Sequence, residues 1–225
     1  ITAVTPYLCY ARKDRRTKPR DPLTLRYVAQ MLDAVGCDRV VTLEVHNLMA
    51  FQNAFRCQTL HIGMEHVFSE KITQHQKVEP LVIVSPDPGG IKRAQILREA
   101  LQEHLKRPIG FAFVEKRRSA GVRTAGMLSG DVEGKQAIIA DDLISTGGTL
   151  LDAAAACRLN GAKSCTALAA HGVFSGGASE LVASNHFSEI IVSDSVQPST
   201  GGVTVVSCAP ALASALKRLA KRSPH

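Results

Sequence analysis

Ala137-Ile-Ile-Ala-Asp-Asp-Leu-Ile-Ser-Thr-Gly-Gly-Thr149 is the stretch on which the fold of this chain turns. Ile138, Ile139 and Ala140 make an apolar run of the kind a buried parallel strand needs. Asp141 and Asp142 follow at once, and then the turn Ser145, Thr146, Gly147, Gly148, Thr149. Residues 150–159, rich in Leu and Ala, form the next helix, which Asn160-Gly161 stops. This order places backbone N–H groups and the positive end of a helix dipole at the turn, a combination that suits phosphate. Gly147 and Gly148 let the backbone approach an anion with no Cβ in the way. The two carboxylates have the wrong sign for phosphate and are assigned to sugar hydroxyls, directly or through a metal. A phosphate beside a diol describes a sugar phosphate. The competing reading is an ordinary α/β turn flanked by two solvated carboxylates.

The same pattern occurs upstream. Leu81-Val-Ile-Val84 reads as a buried strand, Ser85-Pro-Asp-Pro-Gly-Gly90 as a turn, and 91–105 as a helix with Lys92 and Arg93 in its first turn. Cations are unfavourable at a helix N-terminus, so their presence implies an anion there. Two such turns imply a ligand with two phosphate groups, or two phosphorylated ligands meeting. Nearer the start, residues 1–7 read as a strand, 23–35 as an amphipathic helix, and 39–45 as a strand delivering Glu44 and His46 to its carboxyl end, where ligands of open parallel sheets sit. Between them, seven of the eleven residues from Tyr10 to Arg20 are charged, six of them basic. That density points to nucleotide phosphates rather than to a merely solvated loop. A second basic segment, 115–126, is punctuated by glycine and reads either as a loop able to close over a polyphosphate or as an exposed hairpin end. Residues 51–62 show no clear pattern. Further strands are expected at 164–171, 189–193 and 203–207, with helices at 65–75, 178–183 and 209–221.

Composition limits the class. With 225 residues the chain can hold one large or two small domains, and with 4% aromatics its cores are built from Val, Ile, Leu and Ala. Six scattered cysteines with no C-x-x-C pair argue for reduced thiols in a cytoplasmic protein and against a zinc site. No apolar run approaches the length of a membrane span. A net charge of +7 suggests anionic partners. Small phosphorylated ligands fit better than nucleic acid, because aromatics are not interleaved with the basic residues. Ile1 opens in what reads as mid-strand, so the chain is expected to be part of a longer protein.

The 137–149 stretch resembles the PRPP-binding motif of the type I phosphoribosyltransferase fold. Taken with Tyr10-Ala-Arg-Lys-Asp14, Glu44-Val-His46, the Ser85–Arg93 turn and Glu115-Lys-Arg-Arg118, nearly the whole chain is similar to the ribose-phosphate pyrophosphokinase (PRPP synthetase) family. The resemblance implies an α/β protein of two phosphoribosyltransferase-like domains, with mainly parallel sheets flanked by helices and the first domain truncated at its N-terminus. Residues 1–76 are then the remainder of an ATP-side domain, 77–207 the domain for ribose 5-phosphate and PRPP, and 208–225 a helix returning to the first. It also implies ATP against Arg12, Lys13, Asp14 and His46, with ribose 5-phosphate on Asp141, Asp142 and the turn Ser145, Thr146, Gly147, Gly148, Thr149. Asp87, Gly89 and Gly90 form a further phosphate turn, His46 and Asp87 hold Mg²⁺, and Lys116 and Arg118 act on the transferring group. The implied partners are ATP and ribose 5-phosphate, with no nucleic acid or membrane, in a homo-oligomer. Two alternatives stand beside this: a phosphoribosyltransferase that consumes PRPP, and a non-catalytic regulatory subunit. The chain also departs from the family pattern. Lys13 stands where Gln is usual, Thr17 and Glu44 where Asp is, and Phe55 and Thr59 where two further carboxylates are expected.

Overall fold

A computed structural model of the chain describes residues 1–75, 80–115, 118–119, 122–123, 126–176 and 178–222. Two compact units make it up: Ile1–Met64 with Cys208–His225, and Glu65–Ser207.

The first unit begins β1 (Thr2–Thr5), α1 (Thr24–Ala34), β2 (Arg39–Leu43), α2 (Leu48–Ala54) and β3 (Gln58–Ile62). Its three strands are parallel in the order β1-β2-β3, with Val4 beside Val41 and Val41 beside Leu60. Leu25, Val28 and Ala29 of α1 and Phe51 of α2 close over Val40 and Val45 in one cluster, which also takes in Leu8 and Ala11 of the basic loop. Phe51 and Phe55 meet edge to face at 5.3 Å, a favourable aromatic geometry. The stretch that showed no clear pattern is therefore a short helix and a strand. Asn47 starts the helix, its side chain accepting from the Ala50 N–H at 3.1 Å as an N-cap.

The second unit runs α3 (Glu65–His75), β4 (Leu81–Ser85), a 3₁₀ turn (Pro88–Gly90), α4 (Ile91–Leu105), β5 (Gly110–Glu115), β6 (Arg118–Ser119), β7 (Val122–Arg123) and β8 (Met127–Ser129). It continues with β9 (Gln136–Ile144), α5 (Gly148–Leu159), β10 (Ser164–Gly172), α6 (Ala178–Ala183), β11 (Glu189–Ser193) and β12 (Thr204–Val206). Seven strands form one sheet in the order β12-β11-β10-β9-β4-β5-β8, parallel throughout except for the edge strand β8. Val82, Val84, Ala137, Ile139, Ala167 and Ala169 share a core with Leu150, Ala153 and Cys157 of α5. The alternate residues Ile83, Ile138, Ala140 and Leu168 are at most 3% exposed, so the sheet is covered on both faces. From β4 the chain crosses to β5 on one side, and from β9 to β10 on the other. The β4–β9 boundary is thus a switch point, where the loops leaving the two strands diverge and open a crevice.

Two boundaries differ from the sequence reading. β9 does not stop at Ala140; pairing with β10 continues through Asp141–Ala169, Leu143–His171 and Ile144–Gly172. The ladder keeps satisfying the backbone there, so both aspartates are strand residues rather than turn residues. The division between units falls at Met64, before α3 rather than after it, because α3 packs on α4 and buries Phe68 and Ile72. The last helix, α7 (Ala209–Arg222), groups with the first unit and contacts β3. In the basic segment, β6 and β7 pair antiparallel, Arg118 with Arg123 and Ser119 with Val122. Among the described residues no helix is long and apolar enough to cross a membrane.

Candidate active site

The crevice of the second unit is built by two strand ends and the helices that follow them. Asp141 and Asp142 lie near the carboxyl end of β9, with side chains 21% and 6% exposed. Arg93, from the first turn of α4, brings Nη1 to 3.6 Å from Asp141 Oδ1 and 3.4 Å from Asp142 Oδ1. Sequence reasoning gave Arg93 an external anion; the structure gives it an internal one. The carboxyl of Asp141 is pushed up to about 7, first by burial, then by the charge of Asp142 and a hydrogen bond with it. Arg93 and the Asp142 N–H, which donates to Asp141 Oδ1 at 2.8 Å, pull the other way. Burial beside a like charge thus favours a proton on the Asp141 carboxyl near neutral pH. Two such carboxylates can accept from vicinal hydroxyls or share a hard cation.

Both flanking turns are tightly made. After β4, Ser85 Oγ donates to the Asp87 carbonyl at 2.6 Å, and Asp87 Oδ1 accepts from the Gly90 N–H at 3.1 Å. A Cβ on Gly90 would lie 2.8 Å from Ser85 Oγ, so a side chain there would push that hydroxyl from its place in the turn; Gly89 is exposed beside it. After β9, Ser145 Oγ lies 2.6 Å from Ser175 Oγ, so this expected ligand hydroxyl is already hydrogen-bonded to the β10–α6 loop. Val173 and Phe174 of that loop donate to the Ile144 carbonyl, both at 3.0 Å. Gly147 has φ +81°, and a Cβ there would sit 2.9 Å from Leu181 Cβ. Its glycine is thus required by backbone conformation and packing, as well as by any anion. Gly148 and Thr149 open α5, and Thr146 is exposed at the tip.

In the first unit, Arg12, Lys13, Asp14, Arg15, Thr17, Asp21, Pro22 and His46 line a cleft of about 210 Å³. Leu8 and Ala11 anchor the loop in the core, and the Lys13 carbonyl accepts from the Leu25 N–H at 3.3 Å. Asp14 Oδ2 accepts from Asn47 Nδ2 at 2.8 Å. Asp21 Oδ2 accepts from Thr17 Oγ1 at 2.6 Å and from the Thr17 and Lys18 N–H groups, and the Thr17 bond leads in holding its carboxyl below the usual range. His46 is exposed and is not a core histidine. Two residues before it, Glu44 has a backbone φ of +36°. That strained conformation is held by Glu44 N–H to the Ile62 carbonyl (3.0 Å) and by Met64 N–H to Glu44 Oε1 (2.7 Å).

The expected metal ligands His46 and Asp87 fall in different units. Among the described residues no group of three or more His, Cys, Asp or Glu side chains could hold a metal by itself. The donors of the second unit still fit Mg²⁺, which takes one or two carboxylates and completes its shell with substrate oxygens and water. Phe55 is a core residue and Thr59 a strand residue of β3, so no carboxylate stands at either place. Lys116 and the side chain of Arg118 lie outside the described residues. Sequence reasoning missed the Arg93 contact with the dyad, the Asn47 bridge, the Glu44 clasp and Ser175. Of these only Asn47 carried a local signal, as a cap residue before a helix.

Comparison with known proteins agrees with this layout. Residues 119–219 match a family described as the phosphoribosyl synthetase-associated domain, and residues 1–36 match the N-terminal domain of ribose phosphate pyrophosphokinase. A ribose-phosphate pyrophosphokinase of Agrobacterium fabrum is 40% identical over 227 residues, covering 98% of this chain and 71% of that protein. One of Vibrio parahaemolyticus is 41% identical over 97% of this chain and 70% of its own length. The crystal structure of phosphoribosylpyrophosphate synthetase from Mycobacterium smegmatis superposes with a TM-score of 0.85 at 32% identity, covering 99% of this chain and 72% of that one.

Proposed function

The chain belongs to the ribose-phosphate pyrophosphokinase family, and from that premise we propose that it transfers the pyrophosphoryl group of ATP to the 1-hydroxyl of ribose 5-phosphate, giving PRPP and AMP. The observation that carries the reading is the meeting, at the switch point of the second unit, of Asp141, Asp142 and Arg93 with two helix-opening turns. The dyad is suited to the ribose diol, and the N–H groups of the 145–149 turn, with Thr146 and Thr149, to the 5-phosphate. The turn holding Asp87, Gly89 and Gly90 is suited to the pyrophosphoryl group. The exposed cations Arg12 and Lys13 and the imidazole of His46 are assigned to the phosphates of ATP.

In the reaction the 1-hydroxyl oxygen forms a bond to the β-phosphorus while the bond from that phosphorus to the α–β bridging oxygen breaks. The bonding pair leaves on AMP and the hydroxyl proton goes to solvent. No protein nucleophile is required; orientation and charge neutralisation supply the catalysis. Asp87 would be the carboxylate donor to Mg²⁺ in the second unit, and the bound ion would supply neutralisation of phosphate charge. Lys116 and Arg118 are assigned to the charge that grows on the bridging oxygen, a transition-state role. Six cysteine thiols support a cytoplasmic protein, and the family resemblance supports a homo-oligomer. The test is AMP formation from ATP. It should require both ribose 5-phosphate and Mg²⁺. Pyrophosphate release from PRPP and a nucleobase, or no turnover with any of these substrates, would contradict the proposal.

A further inference from the structure

The two acidic residues lining the cleft of the first unit sit among Arg12, Lys13 and Arg15, the cations a polyphosphate would use. A carboxylate there can do damage: by folding onto those cations it would neutralise them before a ligand arrives. Each is instead held by donors that carry no charge. Asp21 is held by Thr17 and Lys18 N–H. Asp14 is held by the Asn47 amide at 2.8 Å, in a half-buried contact between residues 33 apart in sequence. The other end of the same amide accepts from Ala50 N–H at 3.1 Å and starts α2. Only a side chain with both a donor and an acceptor on one planar group makes these two contacts at once. The residue just before it is His46, on the rim of the same cleft.

We propose that Asn47 is a positioning residue for this cleft: one side-chain amide ties the Arg12–Asp14 loop to the His46 turn and keeps Asp14 off the cations that take a polyphosphate. The inference rests on reading the cleft as the nucleotide site. Asn47 does not itself line the cleft; it acts through Asp14 and through the turn that carries His46.

The test measures binding of Mg²⁺–ATP and, separately, of inorganic tripolyphosphate by calorimetry at fixed ionic strength. Asn47→Asp keeps a capping oxygen but loses the donor and sets a second carboxylate against Asp14. Asn47→Ser keeps the cap but is too short to reach Asp14. Both variants should bind each ligand roughly tenfold more weakly, the scale of one hydrogen bond to a charged group, with ribose 5-phosphate binding unmoved. The exchange Asp14→Asn with Asn47→Asp reverses the donor and acceptor, and should recover most of the affinity lost in Asn47→Asp. Unchanged affinity in both single variants overturns the proposal, as does an exchange no better than Asn47→Asp or an unmodified chain that binds neither ligand. AMP formation is measured separately. An unmodified chain that binds ATP but makes no AMP contradicts the reaction assigned above, while the Asn47 comparison still stands.

Discussion

The crevice of the second unit and the cleft of the first lie at carboxyl ends of parallel strands, yet they use opposite electrostatics. In the crevice, Asp141, Asp142 and Arg93 are at most 21% exposed, and the carboxylates sit on a central strand that β10 still pairs at that point. In the cleft, Arg12, Lys13 and His46 are exposed on loops. Directional acceptors for hydroxyls need fixed spacing, and a central strand supplies it at the cost of desolvating two like charges. Phosphates need charge more than direction, and solvated loops supply that with little strain. The crevice should therefore respond to pH and backbone changes, and the cleft to salt.

The largest contrast is expected between two glycines with nearly the same backbone angle. Gly147 has φ +81° with Leu181 Cβ 2.9 Å from the position of an added Cβ, whereas Gly36 has φ +80° and open space. Gly36→Ala should cost roughly 1–2 kcal/mol, the left-handed term alone. Gly147→Ala should cost a further 1–3 kcal/mol or so of overpacking. Equal losses in denaturant titrations would mean that the crevice turn is no tighter than a surface turn. Next is Asp141→Asn, which should weaken ribose 5-phosphate binding by roughly 1.5–3 kcal/mol. The same change should raise stability at pH 8. Because the folded carboxyl is raised from 3.8 to about 7, the folded chain holds more protons between those values, so stability falls as pH rises through that window. The slope is at most about 1.4 kcal/mol per pH unit, and in Asp141→Asn it should flatten. A variant with unchanged affinity and an unchanged slope would remove the dyad from the account.

Arg93→Met removes the cation that holds the Asp141 carboxyl down. Ribose 5-phosphate affinity should then fall about fivefold at pH 7 if that carboxyl rises by about one unit, and recover as pH is raised. A loss independent of pH would make Arg93 a packing residue only. Smallest is Arg12→Ala, an exposed charge worth roughly 0.2–1 kcal/mol toward ATP. Its effect should shrink as salt rises from 0.05 to 0.5 M or thereabouts, since exposed charges are screened. A salt-independent loss would place Arg12 in a drier setting than the structure gives it.

The strand and crossover at 137–159 were legible because an apolar run, two glycines and an Ala-rich helix are all local signals. The extent of β9 was not. Asp141 and Asp142 interrupt the apolar run, and only pairing with Ala169 and His171 on β10 keeps the strand going. α2 and β3 escaped notice because a seven-residue helix with Gln52 and Asn53 inside it shows little periodicity. The Arg93–dyad and Asn47–Asp14 contacts were out of reach for a different reason. Each joins residues far apart in the chain, and a basic residue near a helix start gives no sign of which anion it faces. Local patterning marked the two turns and the paired carboxylates, and tertiary contacts decided how their charges are balanced.

The most direct test of the central claim is calorimetry of ribose 5-phosphate binding at pH 7, with Mg²⁺ present, in two buffers of different ionisation enthalpy. If Asp141 and Asp142 take the diol or its cation, the ionised pair is favoured on binding. About half a proton per site should then be released, as expected for a group with a pKa near the working pH, and Asp141→Asn should release none. Binding with no proton release, or the same release from Asp141→Asn, would contradict the assignment of the sugar to this crevice.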